Sequence, residues 1–458
     1  MKKVIKKVLI ANRGEIAVRI IRTCKEMGIR TVAVYSQPDI DELHVNLADE
    51  AICIGPAGAA DSYLNINNII QAACGSGCDA IHPGFGFLSE NPDFAEFAQA
   101  CGLIFIGPNP KYIRLLGDKE AARAYMDSIG VAIVPGSKKS IDSLEAAILE
   151  SENIGFPLLI KATAGGGGKG MRLVEAVDKL EDSFNLAKSE AKACFGDERV
   201  YMEKFIDSPK HIEVQLVCDS KGNVVHLFER DCSLQRNKQK IIEEAPCHFL
   251  NEATRAALIK TATKACKDIG YDSVGTMEFL VDRDGNFFFM EMNTRIQVEH
   301  PVSEAVTGVD IIKEQIRAAS GLELSIRQKD IRRIFHAIEC RIIAEDTENN
   351  FMPSPGKINF LNVPGGNGIR IDTMVYSGYT VKPFYDSMIM KLIAFAPTRR
   401  ECIKKMRIAL EQLIMTGIKT NIEFNYLLMH NKKFVSGRYT TKTVEEFIGE
   451  LNENRDHI

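Results

Sequence analysis

Tryptophan is missing from this 458-residue sequence, an absence that decides nothing, but other absences exclude whole classes of function. No apolar run approaches the ~20 residues that a membrane helix needs. The opening stretch offers only Val8 to Ala11 as an apolar block, too short for the core of a secretory leader, and reads as a first strand. The twelve cysteines include no C-x-x-C pair. Cys74 and Cys78 lie closest and no histidine cluster joins them, so zinc is not expected, and reduced buried thiols are. Neither sign of charge dominates: 57 Lys+Arg stand against 61 Asp+Glu, a formal net charge of −4. Such a balance exerts no global pull toward nucleic acid or an anionic membrane. Internal repeats, low-complexity stretches and long linkers are lacking as well.

What is present is an ordinary globular composition, 45% hydrophobic and 26% charged, which excludes a mostly disordered chain. At roughly 100–200 residues per domain, two to four compact units are expected. Over the first ~110 residues short apolar strands alternate with helices, beginning with Val8–Ala11, then Glu15–Met27 and Thr31–Tyr35, the pattern of a parallel, doubly wound sheet. Gly107-Pro-Asn-Pro110 is the first strong breaker. Beyond it the strands Pro157–Ala162, Met171–Val174, Val200–Phe205, His211–Cys218 and Val224–Arg230 have antiparallel spacing, followed by a long helix, Asn251–Ile269. The final ~130 residues mix strands (Ile334–Ala344, Met388–Ala394) with helices (Arg399–Met415, Ile422–His430). The chain is therefore expected to be a multidomain α/β and α+β protein, with domains at 1–112, 113–330 and 331–447 and a tail at 448–458.

Two features suggest nucleotide chemistry. The tract Gly165, Gly166, Gly167, Gly168, Lys169, Gly170 contains a formal G-x-G-x-x-G. Its downstream segment reads as strand, however, and the Gly-Lys-Ser/Thr of a Walker loop is missing. A glycine hairpin lets backbone N–H groups close over phosphates, and Lys161 just before it supplies a positive charge. Alone, such a tract is equally consistent with a flexible loop. The second feature is a register. Asp284-Gly285 is a two-residue hairpin signal. If Arg283 pairs with Asn286, Glu278 lies directly across from Glu291. Two carboxylates so placed repel unless a cation lies between them, and a hard divalent ion such as Mg²⁺ suits them best. Continued as a strand, the segment would put Glu291, Asn293, Arg295, Gln297 and Glu299 on one face, with Met292, Ile296 and Val298 toward the core. Arg295 beside Glu299 then reads either as an ordinary ion pair or as an anion clamp with a general base. Gln235, Lys238 and Lys240 read as a charged loop.

The string Glu291-Met-Asn-Thr-Arg-Ile-Gln-Val-Glu-His-Pro301 resembles the signature of biotin carboxylases, members of the ATP-grasp superfamily. So do Ile10-Ala-Asn-Arg-Gly-Glu-Ile16, His82-Pro-Gly-Phe-Gly-Phe-Leu-Ser-Glu-Asn91 and Tyr385-Asp-Ser-Met388, and the similarity runs from about residue 4 to about 447. It implies a Rossmann-like N-terminal domain, a central ATP-grasp domain with a mobile lid at about 134–205, and a C-terminal biotin carboxylase domain. By matching positions, Lys119, Lys161, His211, Gln235 and the glycine loop would hold ATP phosphates or ribose. Glu203, Lys204 and Ile206 would read adenine between Met171 and Leu280. Glu278 and Glu291 would bind Mg²⁺ or Mn²⁺, with Asn293 close by. Lys240, Arg295, Gln297, Val298 and Glu299 would form a bicarbonate pocket, and Arg341, with Phe85 nearby, would face biotin. The resemblance also implies a route: Glu299 deprotonates bicarbonate, carboxyphosphate forms from ATP, and biotin made nucleophilic beside Arg341 takes up CO₂.

Two positions depart from the family pattern. Lys238 stands in Gln235-Arg-Asn-Lys-Gln-Lys240 where His or Asn is usual, and Phe85 where tyrosine is usual. No Met-Lys-Met biotin-attachment motif occurs, so biotin is expected on a separate carrier protein, with separate carboxyltransferase subunits, a homodimeric state and a cytoplasmic location. Acetyl-CoA carboxylase is the expected parent complex, and a two-subunit pyruvate or other acyl-CoA carboxylase the alternative. A carboxylate–amine ligase would not need Arg295, Glu299 and Arg341 together. An NAD(P) oxidoreductase would need a G-x-G-x-x-G after the first strand, where Asn12-Arg13-Gly14 stands instead. A non-catalytic nucleotide sensor would have no use for Lys240 and Glu299.

Overall fold

Alternating apolar strands and amphipathic helices build the first unit of the computed structural model, which describes residues 4–163 and 170–456. Strands β1 (Lys7–Ile10), β2 (Arg30–Ser36), β3 (Glu50–Gly55), β4 (Ala80–His82) and β5 (Ile104–Phe105) form a parallel sheet in the order β3-β2-β1-β4-β5. The strand order reverses between β1 and β4, and in such sheets the crevice beyond the carboxyl ends at that point is where ligands bind. Here it is bordered by the turn after β1 and the loop after β4, tied together by Asn12 Nδ2, which donates to the carbonyls of Pro83 (2.8 Å) and Phe85 (2.7 Å).

A small antiparallel sheet follows, with β6 (Leu158–Ala162) between β7 (Met171–Val174) and β8 (Val200–Lys204). The helices Leu144–Ile154 and Leu180–Phe195 cover it, giving it a hydrophobic core of its own around Leu158, Ile160, Phe184 and Met202. The second of these helices is not apparent in the sequence pattern. The glycine tract Gly165–Gly168 lies outside the described residues.

The largest sheet has eight strands: β9 (Lys210–Cys218), β10 (Val224–Arg236), β11 (Gln239–Ala245), β12 (Val274–Val281), β13 (Phe287–Asn293), β14 (His336–Ile343), β15 (Ile369–Thr373) and β16 (Met388–Ala396). Their order is β13-β12-β9-β10-β11-β14-β16-β15, so the sheet runs unbroken across residue 330. Its two faces differ sharply. One carries Ile212, Val214, Met277, Phe279, Ile338, Cys340, Met390 and Leu392, all buried in two hydrophobic cores. Along the other, His211, Glu213, Arg230, Glu243, Glu278, Glu339 and Lys391 are buried polar or charged. The period-2 alternation of a strand produces this division.

Three local expectations are corrected. The turn at Asp284-Gly285 is not a two-residue one: Asp282 pairs with Asn286, and Gly285 adopts φ +86° in a three-residue loop. Partners therefore sum to 568 from Val281↔Phe287 to Phe279↔Phe289; a bulge then restores 569, and Glu278 does face Glu291. Residues 235–240 are not a loop but a hairpin in which Gln235 pairs with Lys240, with Asn237 and Lys238 both at positive φ. The strand predicted to reach Glu299 ends at Asn293, and a helix, His300–Thr307, begins seven residues later. Of the twelve cysteines, all free, eight are buried and Cys53, Cys74, Cys101 and Cys194 are exposed. No helix among the described residues is long and apolar enough to cross a membrane.

Arg230 anchors the polar face. Fully buried, it donates to Glu213 (2.5 Å), Gln215 (2.6 Å), Ser303 (2.9 Å) and Thr276 (3.2 Å). Removing one partner of such a buried pair strands the other, at a cost of about 3–5 kcal/mol. Arg230→Met is expected to lower stability by that amount, read as a reduced unfolding midpoint in urea.

Candidate active site

The polar face of the eight-stranded sheet, the three-stranded unit and the crevice of the first sheet enclose one cavity of about 1120 Å³. Among the described residues, every predicted site residue lines it except Glu299, which lies fully buried beneath its wall.

At its centre three carboxylates converge on one ammonium. Lys240 Nζ donates to Glu299 Oε1 (2.5 Å), Glu213 Oε2 (2.6 Å) and Glu278 Oε1 (3.0 Å). Asn293 (2.9 Å) and Gln297 (3.2 Å) also donate to Glu278 Oε1, and His211 Nε2 lies 2.8 Å from its other oxygen. Burial opposes the charge on Glu278, yet Lys240 and His211 hold its pKa well below the usual carboxylate range. Burial likewise opposes protonation of His211, but Glu278 raises its pKa.

Glu291 behaves differently. It accepts no hydrogen bond among the described residues, and burial together with the charge of Glu278 pushes its pKa up. Lys119 and His211 offset this only in part, and a second, incompletely compensated carboxylate beside an ionised one suits a divalent cation, so Glu278, Glu291 and Asn293 fit such an ion. The clusters His211–Glu213–Glu278 and Glu213–Cys232–Glu299 also bring ligand-type atoms together. Their carboxylates, however, are already neutralised by Lys240 and Arg230.

Glu299 bonds Lys240 through one oxygen and Arg341 (3.0 Å) through the other. Burial and the charge of Glu213 raise its pKa; Lys240, Arg341 and Arg230 outweigh them, and the net shift is downward. It reaches this place as the residue before the helix His300–Thr307, not as part of a strand. Arg295 consequently does not pair with Glu299. It donates to Glu90 (2.8 Å), Asn293 Oδ1 (3.0 Å) and Gln297 Oε1 (3.0 Å). Val298, expected in the core by alternation, lines the cavity instead.

At the far end Glu203 is bonded by Lys161 and by Arg123 (3.3 Å). Lys204 Nζ donates to the carbonyl of Phe156 (3.1 Å). Gln235 Nε2 meets His211 Nδ1 at 2.7 Å, and Lys238 reaches Met171 Sδ at 3.3 Å across the cavity. Lys119, Ile206 and Leu280 complete this end.

Comparison with known proteins agrees with this geometry. Residues 4–113 match the family model of the biotin carboxylase N-terminal domain, residues 339–446 that of the biotin carboxylase C-terminal domain, and residues 118–327 the ATP binding domain of the carbamoyl-phosphate synthase L chain. The biotin carboxylase of Haemophilus influenzae is 53% identical over 450 residues, 98% of this chain and 100% of that one. The chain belongs to the biotin carboxylase family. A crystal structure of biotin carboxylase from Campylobacter jejuni has the same fold (TM-score 0.94, 49% identity, 97% of this chain and 99% of that one). So does the biotin carboxylase domain dimer of the Hydrogenobacter thermophilus 2-oxoglutarate carboxylase (TM-score 0.93, 48% identity, 97% and 98% covered), crystallised with MgADP, ADP and bicarbonate. As a biotin carboxylase the protein is an ATP-dependent ligase that carboxylates biotin, and its central segment is an ATP-binding domain.

Several residues of this biotin carboxylase site escape sequence reasoning. Glu213, Glu243, Glu90 and Arg123 all bond predicted residues, and Arg230 bonds Glu213. The polar series His211, Glu213, Gln215 within an apolar strand is a period-2 signal that points to Glu213. Arg230 and Glu243 carry no comparable local signal. Glu243 bonds Arg341 (2.6 Å), and burial, opposed by Arg341, lifts its pKa from 4.5 to about 7. The folded protein then binds more protons than the unfolded chain between these values, so stability from this group is full below pH 4.5 and is lost as pH rises through 7. Relative to wild type, Glu243→Gln is expected to gain stability across that window and to show a constant difference above it, as measured by urea midpoints at a series of pH values. A difference that instead grew on acidification would show Glu243 ionised throughout.

Proposed function

We propose that the chain is the biotin carboxylase subunit of an acetyl-CoA carboxylase, carboxylating biotin on a separate carrier protein from ATP and bicarbonate. The observation that carries the chemistry is Glu299, ionised and buried between Lys240 and Arg341 at the floor of the cavity. A carboxylate so held is a general base with a fixed orientation, and the two cations beside it form an anion pocket. Bicarbonate bound by Lys240, Arg295, Gln297 and the backbone at Val298 gives its proton to Glu299 and attacks the γ-phosphate of ATP, breaking its bond to the β-phosphate oxygen and releasing ADP. Lys119, Lys161, His211 and Gln235 hold the polyphosphate in line, while Glu203, Lys204 and Ile206 take the adenine between Met171 and Leu280. Magnesium or manganese at Glu278, Glu291 and Asn293 would neutralise developing phosphate charge. Carboxyphosphate then yields CO₂ and phosphate; the phosphate takes the N1 proton of biotin, and Arg341 stabilises the ureido oxygen as that nitrogen attacks CO₂.

With this assignment go carboxyltransferase subunits, a homodimeric state like that named for the Hydrogenobacter domain, and a cytoplasmic location. The same half-reaction serves other acceptors, and likeness to the 2-oxoglutarate carboxylase domain favours a 2-oxo acid as the alternative to acetyl-CoA. Phe85 and Lys238, the departures from the family pattern, both border the cavity without touching Glu278, Glu291 or Glu299, and activity is expected with them in place.

Phosphate release from ATP by the purified chain with Mg²⁺ is expected to require bicarbonate and to rise with free biotin. Glu299→Gln is expected to reduce it by a factor of about 10²–10⁴, the usual contribution of a general base. Release indifferent to bicarbonate and biotin would reassign the chain to other ATP-dependent ligations.

A further inference from the structure

Lys391 lies in the middle of β16, fully buried, opposite Arg341 in the ladder with β14. Its ammonium donates to the carbonyl of Val298 (3.0 Å), lies 2.9 Å from Glu15 Oε1 and 3.9 Å from Asp372 Oδ2, and sits 5.9 Å from the centre of the Phe85 ring. Four separate segments thus meet at one nitrogen: the turn that carries the bicarbonate pocket, the first turn of the helix Gly14–Glu26, β15, and the loop after β4. None of the family motifs in the sequence includes Lys391.

The need for such a group follows from the end of β13 at Asn293. Beyond it the chain leaves the sheet, and the carbonyls of buried Gln297 and half-buried Val298 have no ladder to satisfy them. His300 Nδ1 meets that of Gln297 at 2.8 Å, and Lys391 serves that of Val298. A neutral donor would suffice for one carbonyl. A buried ammonium demands counter-charges, and a buried ion pair taken whole is seldom worth more to stability than apolar residues in its place. Its presence therefore indicates a positional role, served by the strength and direction of a charge-assisted bond.

We propose that Lys391 is a positioning residue for bicarbonate: by fixing the Val298 carbonyl it aims Gln297 on one side and Glu299 on the other, and through Glu15 it ties that aim to the seating of the N-terminal unit. The role rests on the bicarbonate pocket assigned above.

The test is steady-state phosphate release by the full chain, with bicarbonate and ATP varied separately. Lys391→Met is expected to raise the KM for bicarbonate about tenfold or more, as a small misplacement of binding groups does, while the KM for ATP stays within about twofold. Glu15→Gln keeps the shape of the pocket and the Val298 bond but removes the nearest carboxylate, leaving Asp372 at 3.9 Å, and is expected to raise the bicarbonate KM by a smaller factor, about threefold. The double variant is expected to match Lys391→Met, since both act through one nitrogen. A bicarbonate KM unchanged in Lys391→Met, or an ATP KM that rises equally, overturns the proposal. Should Lys391→Met not yield folded protein, Glu15→Gln decides, and an unchanged bicarbonate KM there overturns it. Wild-type release that needs no bicarbonate would fail earlier and differently, by removing the pocket itself.

Discussion

Charge matching on one face of the eight-stranded sheet is the constraint on which the rest of the structure depends. Carboxylates and cations alternate across neighbouring strands, from Glu278 and Glu213 through Arg230 and Lys240 to Glu299, Arg341 and Glu243. Each group is taken out of water, so each is tolerable only while its neighbour stays in place. The arrangement gains little in stability for its size. What it provides is a set of charged and hydrogen-bonded groups whose positions are over-determined, as electrostatic catalysis needs. The opposite face, packed with Ile, Val, Met and Phe, holds the strands in the register that keeps these partners opposite one another.

Elements from distant parts of the chain are required to close this face. The crevice at the strand-order reversal of the first sheet brings Asn12, Arg13 and Phe85 to the cavity, and from beyond residue 330 β14 brings Arg341 to it while β16 sets Lys391, fully buried, opposite Arg341 in the ladder. The three-stranded unit contributes Lys161, Met171 and Glu203 while keeping a separate core. The far end of the cavity is therefore shared between two bodies, since His211, Gln235 and Leu280 on the eight-stranded sheet face it as well.

Much of this was legible in the sequence, for reasons that differ by residue. The parallel first sheet follows from its alternation, and Glu278 opposite Glu291 follows from strand pairing. That second inference succeeds through two cancelling errors, a turn one residue longer than expected and a bulge beyond it. The extension of β13 to Glu299 failed because alternating polarity also occurs in irregular chain whose carbonyls are bonded by side chains, as those of Gln297 and Val298 are. The helix Leu180–Phe195 was missed because its buried stripe is narrow: Leu180, Phe184, Ala187 and Ala191. Glu243 and Arg230 were missed because partners supplied by other strands leave no trace in local pattern.

The paired irregularities of the β12–β13 hairpin carry a consequence for how this protein tolerates change in length. The tip, Asp282 to Asn286, is largely exposed and looks like a safe place to insert or delete a residue. A one-residue shift in strand pairing, however, turns every following side chain to the opposite face. At constant chain length, a two-residue turn that kept the bulge, or the present turn without the bulge, would swing Glu291 and Asn293 toward the hydrophobic core and bring Met292 to the cavity. Only the two changes made together preserve the pairing, so loop length here is inherited jointly with a kink several residues away.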